Sequence, residues 1–346
     1  NMLYKYLIIV LILSALILGC SSRNPDESAK HLKAGIELQN KGKLDDAMNE
    51  YNRAIEMDKK NQTAWYHRGV LNVSRNNLPK GIEDLTEAID IAPDSVRFYD
   101  ARGYIYITMN EYGKAMEDYE KAVEKDPKSA IFVNRRGYVY ALLKDYVQAV
   151  KDYSKALELN PRYEDAYSNR GFSYLSLNKF ENVVSDFTKA IELNPKRAVY
   201  YNTRGYAYAN MKRLFDALPD YDKAIQTDST LADAYINRGY VFLNTAQYQF
   251  ALEDFDKAIK LGSTAALNYN ARGFAFSNLR QYPQAINDYT KAIELDPNLT
   301  DAYVNRGFSF FNSMDKAAAL KDWQTAVSQK PALDSTLKSY MDKAAK

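Results

Sequence analysis

The sequence predicts an all-α solenoid, and three observations predict it. Glycine recurs at Gly35, Gly69, Gly103, Gly137, Gly171, Gly205, Gly239, Gly273 and Gly307, an unbroken interval of 34 residues. Alanine keeps the same interval at Ala54, Ala88, Ala122, Ala156, Ala190, Ala224, Ala258, Ala292 and Ala326. Large rings keep it at Tyr51, Tyr119, Tyr153, Phe187, Tyr221, Phe255, Tyr289 and Trp323. A unit repeated in this way cannot bury its apolar face alone; it stacks on its neighbours, and the stack presents a long surface in place of a closed pocket.

Counting each copy from the residue seven before its glycine, the glycine is position 8, the ring position 24 and the alanine position 27. Rings also occupy position 4 (Trp65, Tyr99, Tyr167, Tyr201, Tyr235, Tyr269, Tyr303) and, from Tyr106 onward, position 11. Positions 4, 8 and 11 share one face of a first helix, because neighbours three and four apart lie together. Position 20, alanine in seven copies with Gly81 and Val183 as exceptions, joins positions 24 and 27 on a second helix. Small residues let two antiparallel helices approach, and Pro93, Pro127, Pro161, Pro195, Pro297 and Pro331 stop the second helix before the next copy. Each copy is therefore a helix-turn-helix hairpin.

On these residues the chain resembles the tetratricopeptide repeat family over 28–333. The resemblance implies a right-handed superhelical solenoid of nine helix-turn-helix units. Leu333, Leu337, Tyr340, Met341 and Ala344 recur at helical spacing and predict a C-terminal capping helix over 334–346. The family usually has leucine at position 7. This chain has Arg68, Arg102, Arg136, Arg170, Arg204, Arg238, Arg272 and Arg306, with an acid sixteen residues later at Asp84, Asp118, Asp152, Asp186, Asp220, Asp254, Asp288 and Asp322. Only the first copy lacks the arginine, carrying Ala34 with Glu50. A repeated, partly buried ion pair within or between units is expected, setting stacking register more than adding stability; the alternative is a set of solvated surface charges.

The N-terminus is a different kind of sequence. Lys5 precedes an apolar run, Leu7–Leu18, followed by Gly19 and Cys20, which reads as a secretory signal over 1–19 too short to anchor across a bilayer. Ile17-Leu18-Gly19-Cys20 resembles the lipobox of bacterial lipoproteins, which implies cleavage before Cys20 and its acylation. Cys20 is the one cysteine in the chain, so no intramolecular disulfide can form. Residues 20–27 are expected to be the lipidated cysteine and a polar tether. The implied localisation is lipid-anchored in the bacterial cell envelope, at the outer membrane facing the periplasm.

Composition narrows the function classes. Lys and Arg number 46 against 44 acids, and the absence of a basic block argues against a nucleic-acid partner. His31 and His67 are the two histidines, with no cysteine near enough to complete a ligand set, so no metal is expected. The glycines are single and 34 apart, which suits helix packing and not a phosphate loop. The recurrent acids have a structural role in the repeat, so no catalytic pair stands out. No enzyme activity and no cofactor are expected.

What remains is binding. The resemblance implies that first helices line a concave groove, with contacts from positions 2, 5, 9, 12 and 13. Position 9 holds Tyr104, Tyr138, Phe172, Tyr206, Tyr240, Phe274 and Phe308; position 5 holds Asn134, Asn202 and Asn270. Rings offer apolar area at little entropic cost, and carboxamides both donate to and accept from a peptide backbone. A protein or peptide segment of low charge is the expected partner. The alternative is that the rings pack helix against helix and expose only edges. Arg97 against Asp100, Asp165, Asp233 and Asp301 makes the face mildly acidic, and aromatic position 9 argues against the family's carboxylate clamp. Lys121, Lys155, Lys189, Lys223, Lys257 and Lys291 at position 26, with acids at position 29, read as a solvated outer face.

Copies four to nine alternate between two subtypes, so a 68-residue pair is the element that was duplicated. Pro79 and Pro283 fall where a first-turn proline is tolerated, whereas Pro219 lies deeper and is expected to bend or loosen its helix. Ser229 and Ser263 replace the closing proline, and a hinge is expected there. The overall expectation is a membrane-anchored protein-interaction scaffold. A glycan or wall binder using the ring stripe, or a passive structural lipoprotein, are the alternatives.

Overall fold

The structure is a computed structural model that describes residues 23–346; the predicted signal peptide and Cys20 lie outside the described residues. Among the described residues there are nineteen α-helices, one 3-10 turn at Pro331–Leu333, and no strand. First helices of hairpins are Pro25–Asn40 (α1), Gln62–Ser74 (α3), Val96–Thr108 (α5), Ala130–Leu142 (α7), Glu164–Ser176 (α9), Ala198–Asn210 (α11), Ala232–Asn244 (α13), Ala266–Asn278 (α15) and Thr300–Asn312 (α17). Second helices are Leu44–Met57 (α2), Leu78–Ile91 (α4), Tyr112–Lys125 (α6), Tyr146–Leu159 (α8), Phe180–Leu193 (α10), Leu214–Thr227 (α12), Tyr248–Lys260 (α14), Tyr282–Leu295 (α16) and Lys316–Gln329 (α18). Asp334–Ala344 (α19) follows. The chain divides into two compact units with the boundary between Ala166 and Tyr167. In each, consecutive helices pack on one another.

The repeated small and large residues form the cores. Alanine at position 27 has no exposed surface in any copy, and the residue at position 24 is at most 1 % exposed. Glycine at position 8 is what lets the ring in: a Cβ on Gly205 would lie 2.9 Å from the Tyr221 ring, and one on Gly137 3.0 Å from Tyr153. These are below any ordinary carbon contact, and a buried ring has nowhere to move.

The turn between the helices of a hairpin is built on one left-handed residue at position 15. Its φ is +61° at Asn76, +63° at Lys144, +56° at Ala246 and +71° at Met314. The next amide closes back on the carbonyl at position 11, as in Lys179 to Tyr174 at 2.9 Å and Gln247 to Phe242 at 2.8 Å. This six-to-one bond is the Schellman closure, which satisfies carbonyls that the helix end would otherwise orphan. Glycine stands there once, at Gly42; the other copies hold residues with a Cβ in a conformation that disfavours one.

Prolines behave according to depth. Pro79 and Pro283 sit in the first turn of α4 and α16. Pro219 lies inside α12, which still runs the full Leu214–Thr227, so the proline does not shorten it. At Ser263 the preceding helix ends one residue early, at Lys260, and Gly262 takes a φ of +97°.

The two ends differ from the middle. α1 starts at Pro25, inside the stretch expected to be tether, and the chain is fixed before it: the Asn24 amide donates to the Met57 carbonyl at 2.9 Å, and Arg23 pairs with Asp58 at 2.9 Å. α19 begins 34 residues after α17, so it occupies the place of a further first helix. It buries Leu337 against the core of Trp323 and Ala326.

Candidate functional site

Each hairpin from the second copy onward is clamped by its position 7 arginine. Arg204 donates from Nε to Asp220 Oδ2 at 2.8 Å and from Nη2 to Oδ1 at 2.7 Å, a bidentate pair joining α11 to α12. The same two bonds, between 2.6 and 3.0 Å, join Arg68 to Asp84, Arg102 to Asp118, Arg136 to Asp152, Arg170 to Asp186, Arg238 to Asp254, Arg272 to Asp288 and Arg306 to Asp322. The aspartates are 2–7 % exposed, which excludes solvated surface charges.

In Arg68, Arg102, Arg204, Arg238, Arg272 and Arg306 the free Nη1 reaches back to position 25 of the preceding hairpin. Arg204 donates to Thr188 Oγ1 at 3.0 Å, Arg306 to Thr290 at 2.9 Å, and Arg238 to Asp222 at 2.6 Å. These arginines thus pair within their own hairpin and bond between hairpins. Rings three before and four after flank Arg238: its guanidinium carbon lies 5.8 Å from the Tyr235 and Phe242 centroids, within cation–π range. Burial pushes the Asp118, Asp186 and Asp254 carboxyls above the ordinary carboxylate range, against the opposing pull of their arginines. Desolvation therefore offsets much of the attraction, and the pair contributes register more than net stability.

The first copy uses another residue for the same task. His31 Nδ1 lies 2.6 Å from Glu50 Oε2, joining α1 to α2 where arginine is missing. His31 stands three residues before Ala34, which holds the arginine's place, so the sequence shows only that the arginine is missing.

The rings of position 9 stand at the surface. In the first unit, Tyr104 and Tyr138 are exposed; in the second, Phe172, Tyr206, Tyr240 and Phe274 are, and the six span 36–57 % exposure. Phe172 rests edge-on against the buried Phe187 ring with centroids 5.1 Å apart, and Tyr240 against Phe255 at 5.2 Å. These two rings are held in place from below and present area to solvent above. Phe308 differs: Tyr340 of α19 stacks edge-on against it at 5.0 Å, so the capping helix covers the last ring.

The asparagines of position 5 require correction. Asn134 and Asn202 are 5 % and 9 % exposed, and Asn270 is partly buried. Asn202 Oδ1 accepts from Asn237 Nδ2 at 3.0 Å, and Asn270 Oδ1 from Asn305 Nδ2 at 3.2 Å; Asn134 Nδ2 lies 3.4 Å from the Tyr163 hydroxyl. These carboxamides lie in the seam between hairpins and bond within the stack. Asp100 holds the equivalent place in the first unit and pairs with Arg135 at 2.6 Å. The exposed carboxamides are those of position 13, including Asn210 and Asn244. With Tyr206, Tyr240, Asn237 and Lys212 they line an open depression of about 440 Å³.

The opposite face carries Lys121–Glu124, Lys155–Glu158, Lys189–Glu192 and Lys291–Glu294 pairs at 2.7–3.0 Å, three residues apart and solvated. Such pairs contribute little. Among the described residues no group of His, Cys, Asp and Glu could hold a metal ion, and no helix is long and apolar enough to cross a membrane.

Comparison with known proteins bears on the hairpins. Residues 35–74, 103–144, 137–178 and 280–313 match the family described as TPR repeat, and 164–197 and 232–261 match families described as Tetratricopeptide repeat. A stretch of 64 residues, 18 % of this chain, is 42 % identical to Tetratricopeptide repeat protein 14 of Mus musculus and spans 8 % of that protein's length. Among solved structures, a tetratricopeptide repeat protein from Parabacteroides merdae is 20 % identical with a TM-score of 0.54, over 72 % of this chain and 99 % of that one. The C-terminal part of a TPR repeat-containing protein from Cytophaga hutchinsonii is 20 % identical with a TM-score of 0.56, over 68 % of this chain and 96 % of that one. In the APC/C hetero-tetramer Cut9–Hcn1 the matched chain is 14 % identical with a TM-score of 0.54, over 99 % of this chain and 82 % of that one. At these identities the likeness is one of fold. The hairpins of this chain are tetratricopeptide repeats, packed helix on helix as an all-α solenoid.

Proposed function

We propose that the chain is a protein-interaction scaffold of the bacterial cell envelope, held to the membrane by acyl chains on Cys20 and gripping a protein segment on its ring-bearing first helices. The observation that carries the binding half is the row of exposed rings, with Phe172 and Tyr240 seated on buried ones. A ring already fixed by its neighbours loses little freedom on contact, so its apolar area goes into affinity. Tetratricopeptide repeats mediate contacts between proteins, and positions 2, 5, 9, 12 and 13 hold one basic residue, Arg97, which suits a segment of low charge.

The anchoring half rests on the Leu7–Cys20 sequence and on where the body begins. Arg23 and Asn24 are already fixed to the end of α2. From Cys20 to Arg23 the chain has three steps, about 10 Å when extended. Acylation would therefore hold the first hairpin against the headgroups. Each buried methylene adds about 0.8 kcal/mol, so two or three chains give a durable anchor.

A photoreactive residue replacing Tyr206, irradiated in cells, tests the binding half. Capture of one protein above background, lost when Tyr240 and Phe274 are also changed to alanine, is the expected result. Capture of glycan alone would replace the reading with wall binding, and no capture from there or from Phe172 would replace it with a passive role. Cys20→Ala tests the anchor: the variant should move from the membrane to the soluble fraction, and unchanged fractionation would refute lipid anchoring.

A further inference from the structure

The ring-bearing face of the second unit, residues 167–346, alternates along its length. Position 2 of its successive first helices is Val199, Asp233, Leu267 and Asp301. Val199 and Leu267 are exposed apolar side chains. Asp233 and Asp301 are exposed and have no ion-pair partner among the described residues. The Tyr240 hydroxyl donates to the Leu267 carbonyl at 3.5 Å, which puts the ring of one hairpin beside position 2 of the next. Further along the same helices, Asn210 and Asn278 donate Nδ2 to the carbonyls of Tyr206 and Phe274, both at 2.9 Å, and keep a carboxamide oxygen as a free acceptor. Positions 2, 5, 9, 12 and 13 of this unit include no lysine or arginine. Lys212 and Arg280 stand at the left-handed turns, at the opposite ends of their helices from position 2.

A helix dipole favours an acid in the first turn, which would account for Asp233 and Asp301 singly. It does not account for their alternation with exposed valine and leucine, since all these helices have the same dipole. A ligand that reads the alternation must stay in step with the hairpins. First helices of successive hairpins touch, so a ring recurs every 8–10 Å or so. An α-helix turns every 5.4 Å or so and a β-strand repeats every ~6.6 Å, and neither returns to the same face once per hairpin, regaining step only over two or more. A polyproline II segment turns every three residues, about 9.3 Å, and stays in step. Its backbone makes no internal hydrogen bonds, so the amides of its non-proline residues are free to donate to the outward carboxamide oxygens. Aromatic grooves suit it because it is already ordered.

We infer that this face takes a polyproline II segment, one turn per hairpin, with lysine or arginine at every sixth residue and an apolar residue midway between. The cations meet Asp233 and Asp301, and the apolar residues meet Val199 and Leu267 beside the rings. The inference rests on the binding reading above and adds the conformation, period and charge of the partner.

The test uses the full chain and three labelled, proline-rich peptides read by fluorescence anisotropy at low and high salt. One has lysine every sixth residue with leucine midway; the second has the same composition with the lysines every fourth; the third has glutamate for lysine. The first should bind at least tenfold tighter than the others and weaken with salt. Asp233→Lys/Asp301→Lys should weaken it about fivefold per carboxylate and favour the glutamate peptide, with the helical circular dichroism unchanged. Equal affinities for the three, or no binding of any, overturn the inference. If Tyr206 still captures a protein in cells, the binding reading survives that loss; if Tyr206 captures nothing, both readings fall.

Discussion

Replacing Arg204 by methionine isolates the clamp, because methionine keeps most of the side-chain length and removes three hydrogen bonds. Two go to Asp220, in its own hairpin, and one to Thr188, in the hairpin before. Asp220 has only 6 % of its surface exposed, so the change leaves a carboxylate buried without a counter-ion. Breaking such a pair from one side costs about 3–5 kcal/mol, whereas replacing both partners with apolar residues is often neutral. Arg204→Met should therefore be destabilising by about 3 kcal/mol or more, and Arg204→Met/Asp220→Leu should recover most of it. Coupling between Arg204 and Asp186, which bonds to Arg170 instead, should stay below about 0.5 kcal/mol. A stack of hairpins unfolds by neighbours and not as one two-state body. Urea denaturation should accordingly be paired with hydrogen exchange read on α11 and α12. A single-variant loss under about 1 kcal/mol, or a double variant whose loss equals the sum, would refute the clamp.

Gly205→Ala places a methyl 2.9 Å from the buried Tyr221 ring and should cost about 1–3 kcal/mol, while Gly113→Ala, with nothing within 4 Å, should gain about 0.5–1 kcal/mol from helix propensity; urea midpoints compare them directly. Ala246→Gly relieves a φ of +56° worth about 1–2 kcal/mol, less the glycine's own entropy, so a net gain of roughly 0.5 kcal/mol is expected in the same assay. Burial, and then the Arg97 charge, hold the His67 imidazole below its ordinary value of 6.5. The unfolded chain binds a proton that the folded chain refuses, so stability is full above about pH 6.5 and falls as the pH drops toward the folded value. Tm measured at pH 7.5 and 5.5 should show a drop that His67→Gln reduces.

Much of this architecture is legible because it follows from helical period. Glycine at position 8, alanine at positions 20 and 27 and the ring at position 24 sit where a helix face demands size and nothing else, and size is written in the residue name. The arginine and aspartate are legible as a pair because both recur, but their backward bond to Thr188 or Asp222 is not, since position 25 varies in chemistry while keeping only an acceptor. The left-handed turn is hidden for a related reason. Its residue is lysine, alanine, arginine or methionine as often as asparagine, and the Schellman closure imposes the conformation whatever the side chain. Asn202 and Asn270 mislead most directly. A family rule assigns position 5 to the groove, yet a carboxamide with a partner in the next hairpin gains more by turning into the seam. Phe308 is likewise indistinguishable from Phe274 in sequence, and only the placement of Tyr340 separates them.

The two subtypes of hairpin alternate in the seam as well as on the face, and the seam has a consequence for how the stack can be shortened. Between the sixth and seventh copies Asn202 meets Asn237, and between the eighth and ninth Asn270 meets Asn305. Between the seventh and eighth the same places hold Ile236 and Ala271, packed in an apolar core. An asparagine facing an alanine would bury a carboxamide without a partner, at about 1–3 kcal/mol. Deleting residues 232–299 removes two hairpins and joins the sixth copy to the ninth, so Asn202 faces Asn305 and the seam stays matched. Deleting 232–265 removes one hairpin and sets Asn202 against Ala271. The arginine clamp is intact in both, since Arg306 or Arg272 would meet Asp222 in place of its usual partner. The longer deletion should therefore give the more stable protein by urea denaturation, although it retains fewer hairpins. If the shorter deletion is instead the more stable, neighbour number outweighs seam chemistry, and the asparagine pairs do not set register.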